Sequence, residues 1–140
     1  MTRQKTALVT GANRSIGYEI ARRLAAEGYR VWLGSRDVGR GKDAARTLRD
    51  QGLDVHVLQL DVTSDDSVAS AITELSRQTG HLDALVNNAG IADSFSHQPF
   101  DEPVEVVKAV YEVNTFGPIR LTQAALPLLK ASGAGRVVML

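Results

Sequence analysis

The 140-residue sequence has no cysteine, which excludes a disulfide framework, thiol catalysis and thiolate metal sites. Histidine is scarce. His56, His81 and His97 fall in an apolar run, a turn and a polar stretch, with no i, i+4 pair to seed a metal centre. Neither sign of charge is in excess, because sixteen basic and sixteen acidic side chains cancel. No global field therefore argues for nucleic acid or an anionic membrane as partner. No apolar run approaches the ~20 residues of a membrane span, and Met1 to Lys5 lead directly into an apolar stretch with no signal-peptide core. The expectation is a soluble, cytoplasmic protein. What the chain does have is apolar content, 44% of residues, enough at this length for one domain with a real core.

The chain is organised around Leu8-Val9-Thr10-Gly11-Ala12-Asn13-Arg14-Ser15-Ile16-Gly17. Before the glycines, Lys5 to Thr10 holds the β-type run Ala7-Leu8-Val9; after them, Ile16, Ile20, Ala21 and Leu24 recur at helical spacing. A glycine turn between a strand and a helix N-terminus is where unpaired backbone N–H groups and the helix dipole favour a phosphate. Gly11 permits a sharp turn and Gly17 a close helix–sheet approach. Ser15 is expected to be tolerated in this turn because its hydroxyl can cap the helix or donate to a phosphate.

Downstream, strands and helices alternate. Helix one spans about Ser15 to Glu27, stopped by Gly28, and strand two spans Tyr29 to Leu33. Helix two runs from Val38 to Gln51 and strand three from Asp54 to Leu60. Thr63 reads as an N-cap, with Asp66 three residues on, for a helix whose inner face holds Val68, Ile72 and Leu75. Leu82 to Val86 is strand four, followed by Asn87-Asn88-Ala89-Gly90. A polar loop at 93–99 precedes a long helical pattern from Glu102 to Ala131, and Arg136 to Leu140 is strand five. This alternation predicts one domain over residues 1–140: an α/β doubly wound parallel sheet in three α/β/α layers, the Rossmann arrangement, running to its fifth strand. The expected strand order is 3-2-1-4-5, with the switch point between strands one and four.

At the end of strand two a dinucleotide site meets the ribose 2′ position, where an acid suits NAD and an arginine suits NADP. Here Ser35 and Arg36 precede the first carboxylate, Asp37, and Arg14 in the glycine turn adds a second cation. The two arginines favour NADP(H) over NAD(H). Asp61 and Asn87 fall at the carboxyl ends of strands three and four, where doubly wound folds place ligands.

Taken in order, Thr10-Gly11…Gly17, Asp61-Val62, Asn87-Asn88-Ala89-Gly90 and Val113-Asn114 resemble the short-chain dehydrogenases/reductases, with Ser15 where that family usually has glycine. The resemblance covers the whole chain, and Arg36-Asp37 with the 87–92 stretch is most similar to NADPH-dependent carbonyl reductases. It implies an oxidoreductase that passes hydride between NADP(H) and a small-molecule carbonyl or alcohol, acting as a homo-oligomer. It implies further that Gly11, Asn13, Arg14, Ser15, Ile16 and Gly17 hold the cofactor, Ile16 through its main chain. Asp61 and Val62 would take the adenine, Asn87 the ribose, and Ala89 and Gly90 the region near the nicotinamide. Asn114 would be the active-site asparagine whose carbonyl holds a water. The residues add a physical reason, since Pro118, four positions on, has no N–H to donate to that carbonyl. A kink there should leave the oxygen to water.

In the family, a serine and then a Tyr-x-x-x-Lys pair follow strand five and supply the acid. This sequence stops at Leu140, before those positions, and Tyr111 is followed by Glu112, Val113, Asn114 and Thr115. Two readings stay open: the cofactor-binding part of a longer oxidoreductase, or a non-catalytic nucleotide-binding module or inactive truncated product. Residues 1–140 alone are expected to lack dehydrogenase activity, and the apolar fifth strand, as an open edge, to promote self-association.

Overall fold

The computed structural model describes residues 2–92 and 100–140. The expected polar loop at 93–99, with His97, lies outside them.

Five strands, β1 (Thr6–Val9), β2 (Arg30–Ser35), β3 (Val55–Gln59), β4 (Ala84–Asn87) and β5 (Arg136–Met139), form one sheet in the order β3-β2-β1-β4-β5. All neighbours are parallel, with Leu8 paired to Trp32 on one side and Leu85 on the other. This is the order read from the sequence. The helices are α1 (Ser15–Ala26), α2 (Val38–Asp50), α3 (Asp65–Gln78), α4 (Val104–Tyr111) and α5 (Gly117–Ser132).

Alternation along the strands divides the core into two layers. Ala7, Val9, Val31, Leu33 and Val55 pack against Ala21, Ala25, Ala45 and Leu48 of α1 and α2. Leu8, Trp32, Leu58 and Leu85 face the other way, onto Val68, Ala71 and Leu75 of α3 and Leu121, Ala125 and Leu128 of α5. Burying each leucine in these layers contributes about 1.5–3 kcal/mol. β5 is an edge strand with its side chains exposed, Val137 and Val138 each 43% and Met139 58%.

Two local expectations change. The cap of α3 is Ser64, whose hydroxyl accepts from Ser67 N at 3.1 Å. Thr63 instead serves Asp61, donating to its Oδ1 through both its N–H (3.0 Å) and its hydroxyl (2.7 Å). The aspartate draws Thr63 into an Asx turn, and the cap falls one residue later. The long helix of 102–131 is divided. A π-helical turn, Glu112–Phe116, separates α4 from α5. Pro118 lies in the first turn of α5, where its missing N–H deprives the preceding turn of an i→i+4 donor.

Asp83 ties the base of the sheet together. It receives two bonds from the Arg3 guanidinium (2.9 and 3.0 Å), one from Thr6 N (2.8 Å) and one from the Ser132 hydroxyl (2.6 Å). Burial alone would raise its pKa, but these donors outweigh it and hold the carboxyl at about 2, against 3.8 for a free side chain. A depressed folded-state pKa means that the stabilisation is complete above pH 4 and is lost as pH falls from about 4 to about 2. Asp83→Asn should cost about 1–3 kcal/mol at neutral pH and flatten this acid limb, as read from denaturant midpoints at pH 7 and pH 3. Parallel midpoints for the two proteins across that range would refute the assignment.

Candidate functional site

A cleft of about 390 Å³ opens at the carboxyl ends of the central strands, at the switch point between β1 and β4. Its floor is built by the glycine turn and the segment after β4. The Thr10 hydroxyl accepts the N–H groups of Asn88 (2.9 Å) and Ala89 (2.8 Å). In return, Asn88 Nδ2 donates to the carbonyls of Thr10 (3.1 Å) and Gly11 (3.3 Å). Nothing larger than glycine fits the resulting contacts. A Cβ on Gly11 (φ +59°) would stand 2.9 Å from Ala89 Cα, and one on Gly17 would collide with Asn88 Nδ2 and the Gly11 carbonyl.

Ser15 departs from expectation. It is the one described non-glycine residue with positive φ, +53°, and so adopts the conformation a glycine would take. It does not cap α1: the N-cap is Arg14, and no side chain bonds there. The geometry of the turn, set by Gly11 and Gly17 on either side, dictates the backbone at 15, and the serine follows it.

The cleft brings together Gly11, Asn13, Arg14, Ser15, Ile16 and Gly17 with Ser35 and Arg36, Asp61 and Val62, and Ala89 and Gly90. Two of the residues expected there stand apart. Asn87 is 3% exposed and is not among the cleft residues. Its Nδ2 reaches Thr122 Oγ1 (3.3 Å) and Met139 Sδ (3.2 Å), and its carbonyl accepts from Leu140 N (3.1 Å). It ends a strand in phase with Leu85, so its side chain points into the α3/α5 layer. Asn114 is held beside the cleft by a two-way clasp with Ile91, its Oδ1 accepting from Ile91 N (2.8 Å) and its Nδ2 donating to Ile91 O (2.7 Å).

Several lining residues were not foreseen from the sequence, among them Arg40, Asn88, Ile91 and Val113. Arg40 had a readable signal, since it lies in the first turn of α2, one turn past Arg36. Asp37 caps that helix by accepting from Arg40 N (3.0 Å), and Arg40 lines the cleft beside it. Three arginines, Arg14, Arg36 and Arg40, thus line one cleft. Ser35 is buried, and its hydroxyl donates to the Asp37 carbonyl (2.7 Å), shaping the loop that carries Arg36. The Asp61 carboxyl is held below its ordinary pKa, chiefly by the Thr63 hydroxyl, with help from the charges of Arg36 and Arg120 against the effect of burial. It is therefore an acceptor at neutral pH. The two described histidines do not line the cleft: His56 pairs with Asp54 (2.7 Å), and His81 bonds the Gln4 carbonyl (3.1 Å).

A family model for short chain dehydrogenases matches residues 5–140. The chain belongs to that family. It is 40% identical over 154 residues to a (+)-neomenthol dehydrogenase of Arabidopsis thaliana, covering 94% of this chain and 51% of that protein. It is likewise 40% identical over 135 residues to a short chain dehydrogenase/reductase of Colletotrichum higginsianum, covering 93% of this chain and 33% of that one. Among solved structures, a metagenomic short-chain oxidoreductase in complex with NADP superposes with TM-score 0.87 at 32% identity, over 95% of this chain and 60% of that chain. An actinorhodin polyketide ketoreductase with NADPH gives TM-score 0.89 at 32% identity, over 98% and 53%. The chain thus spans about half the length of most relatives it matches.

The backbone at Ser15 carries a cost that glycine would remove. Left-handed φ in a residue with a Cβ costs about 1–2 kcal/mol, partly offset in Ser15→Gly by the looser unfolded chain. Ser15→Gly should therefore raise unfolding stability by about 0.5–1 kcal/mol, while Ser15→Ala, which keeps the Cβ, should not. A destabilised Ser15→Gly protein in a chemical denaturation series would show that the serine side chain stabilises the turn instead.

Proposed function

We propose that this chain is the NADP(H)-binding part of a short-chain oxidoreductase of carbonyl reductase or alcohol dehydrogenase type, acting on a small-molecule carbonyl or alcohol. The observation that carries the reading is the convergence of Arg14, Arg36 and Arg40 on a cleft floored by the glycine turn. A dianionic 2′-phosphate is the group that such a cluster suits, and no carboxylate stands at Ser35 to favour a 2′-hydroxyl. The glycine turn fits the rest of the cofactor, because a Cβ at Gly11 or Gly17 would meet Ala89 or Asn88, and glycine at both keeps the turn packed on the segment after β4 with the N-terminus of α1 beside the cleft.

In this reading the free N–H groups at the start of α1 hold the pyrophosphate, with Asn13, Ser15 and Ile16 lining its path. Asp61 and Val62 border the adenine, and Ala89 and Gly90 floor the nicotinamide end. Contact with the ribose comes from the Asn88–Gly90 backbone, since the Asn87 side chain lies outside the cleft lining, its Nδ2 on Thr122 and its Oδ1 buried without a partner. When bound, NADPH supplies hydride. Because the Asn114 side chain is occupied by Ile91, what Asn114 offers a water is its backbone carbonyl, which Pro118 cannot cap.

Self-association also belongs to the reading. α4 buries no residue and presents Val104, Val107 and Tyr111 at 65%, 40% and 54% exposure along one stripe, which supports a homo-oligomer. No described helix is long and apolar enough to cross a membrane, and a cysteine-free chain of zero net charge suits the cytoplasm.

Wild type should bind NADPH more tightly than NADH. Arg36→Ala should remove most of the difference, a loss of about 1.5–3 kcal/mol in NADPH affinity with NADH unchanged, as measured by titration of both cofactors. Equal affinity of wild type for the two would sink the NADP(H) assignment.

The competing reading, a non-catalytic nucleotide-binding module, shares these binding properties and differs in turnover. Residues 1–140 contain no Tyr-x-x-x-Lys pair. Hydride transfer to a carbonyl needs an acid within about 3 Å of the developing oxyanion. The 140 residues alone, assayed with NADPH and a panel of aldehydes and ketones, should show no turnover above background. Robust turnover would mean that another group supplies the proton, and would overturn this account of the acid.

A further inference from the structure

Arg120 joins two walls of the cleft without lining it. Its side chain, 23% exposed, spends each arm of the guanidinium on a different segment. Nη1 donates to the Val62 carbonyl at 2.6 Å, Nε to Asp65 Oδ1 at 2.6 Å and Nη2 to Glu112 Oε1 at 2.8 Å. Val62 belongs to the cleft wall that follows β3. Glu112 opens the π-helical turn, the next residue, Val113, lines the opposite wall, and Asn114 follows with its clasp on Ile91. Close packing reinforces the link, since a Cβ on Gly117, at the end of the π turn, would stand 2.7 Å from Val62 Cγ2.

We propose that Arg120 is a positioning residue that sets the Asp61–Val62 wall and the Asn114 segment against each other, so that adenosine binding and the placement of Asn114 depend on one guanidinium. This rests on the cofactor reading above. The arrangement suits an arginine, because three separate nitrogens of one planar group each meet a different acceptor; a lysine has three N–H donors but on a single nitrogen, without that span. Removing it would also leave Asp65 and Glu112 uncompensated beside Asp61, adding repulsion toward an anionic ligand.

The test uses 2′,5′-ADP, which occupies only the adenosine side, together with the side-chain amide resonance of Asn114. Arg120→Gln should weaken 2′,5′-ADP about tenfold and shift the Asn114 amide resonance in the ligand-free protein. Arg120→Lys should recover only part of either effect. Glu112→Ala removes the third bond while keeping those to Val62 and Asp65, and should shift the Asn114 resonance while leaving 2′,5′-ADP affinity within about twofold. Should Arg120→Gln fail to fold, Arg120→Lys and Glu112→Ala carry the same comparison. A folded Arg120→Gln that keeps both readouts, or loses affinity without moving Asn114, overturns the proposal. If wild type binds neither 2′,5′-ADP nor NADPH, the cofactor reading fails. The ligand-free Asn114 resonance still decides the inference: unmoved in the variants, it refutes the link.

Discussion

The Thr10–Asn88 interlock is the contact on which the site depends. β1 and β4 run side by side, but their following chains diverge into helices on opposite faces of the sheet, which is what opens a crevice between them. Left alone, such a crevice would expose backbone polar groups from both turns. The Thr10 hydroxyl accepts two N–H groups while Asn88 returns two bonds, so the turns satisfy one another and hold a fixed separation. That separation leaves no room for side chains at Gly11 and Gly17, and in that confined turn Ser15 takes a left-handed backbone. One reciprocal set of hydrogen bonds thereby fixes the floor of the cleft, the start of α1 and the conformation of the glycine turn.

Much of this architecture was legible because each level of the sequence agrees with the others. Short apolar runs alternate with helical periodicity, glycines follow the first two helices, and the strand order observed is the one that right-handed crossovers predict. The site was less legible, for reasons of phase. In Asn87-Asn88 the string alone does not say which amide faces the cleft. Strand parity does: Asn87 shares the face of Leu85 and meets α5, leaving Asn88 to reach across to Thr10. Counting by two from the buried Leu85 would have separated them. Arg120 offered no such signal, because its partners lie 8, 55 and 58 residues away.

The stretch around Pro118 shows a different limit. Proline marks where a helical hydrogen bond is missing, but not how the helix closes over the gap. Here the chain widens into a π turn in which Gly117 N reaches back five residues to the Glu112 carbonyl. The extra residue changes the angular relation between α4 and α5. Asn114 is thereby left exposed next to Ile91, while Gly117 and Pro118 are buried. A simple kink would have given the same missing bond without that rotation.

A chain of zero net charge can still build a locally basic site, because what matters is which charges line it. Asp37 is committed to the first turn of α2, and Asp61 to Thr63. Asp65 and Glu112 are both absorbed by Arg120. By contrast, Arg14 and Arg36 have no carboxylate within ion-pairing distance among the described residues, and the nearest to Arg40 is Asp37 at 3.9 Å. Three arginines, Arg14, Arg36 and Arg40, and two aspartates, Asp37 and Asp61, line the cleft, so its charged side chains leave an excess of one positive charge. A bulk balance of sixteen against sixteen conceals this. The cleft's own charge is set by side chains within a Debye length of it and is insensitive to the distant surface charges that set the net value.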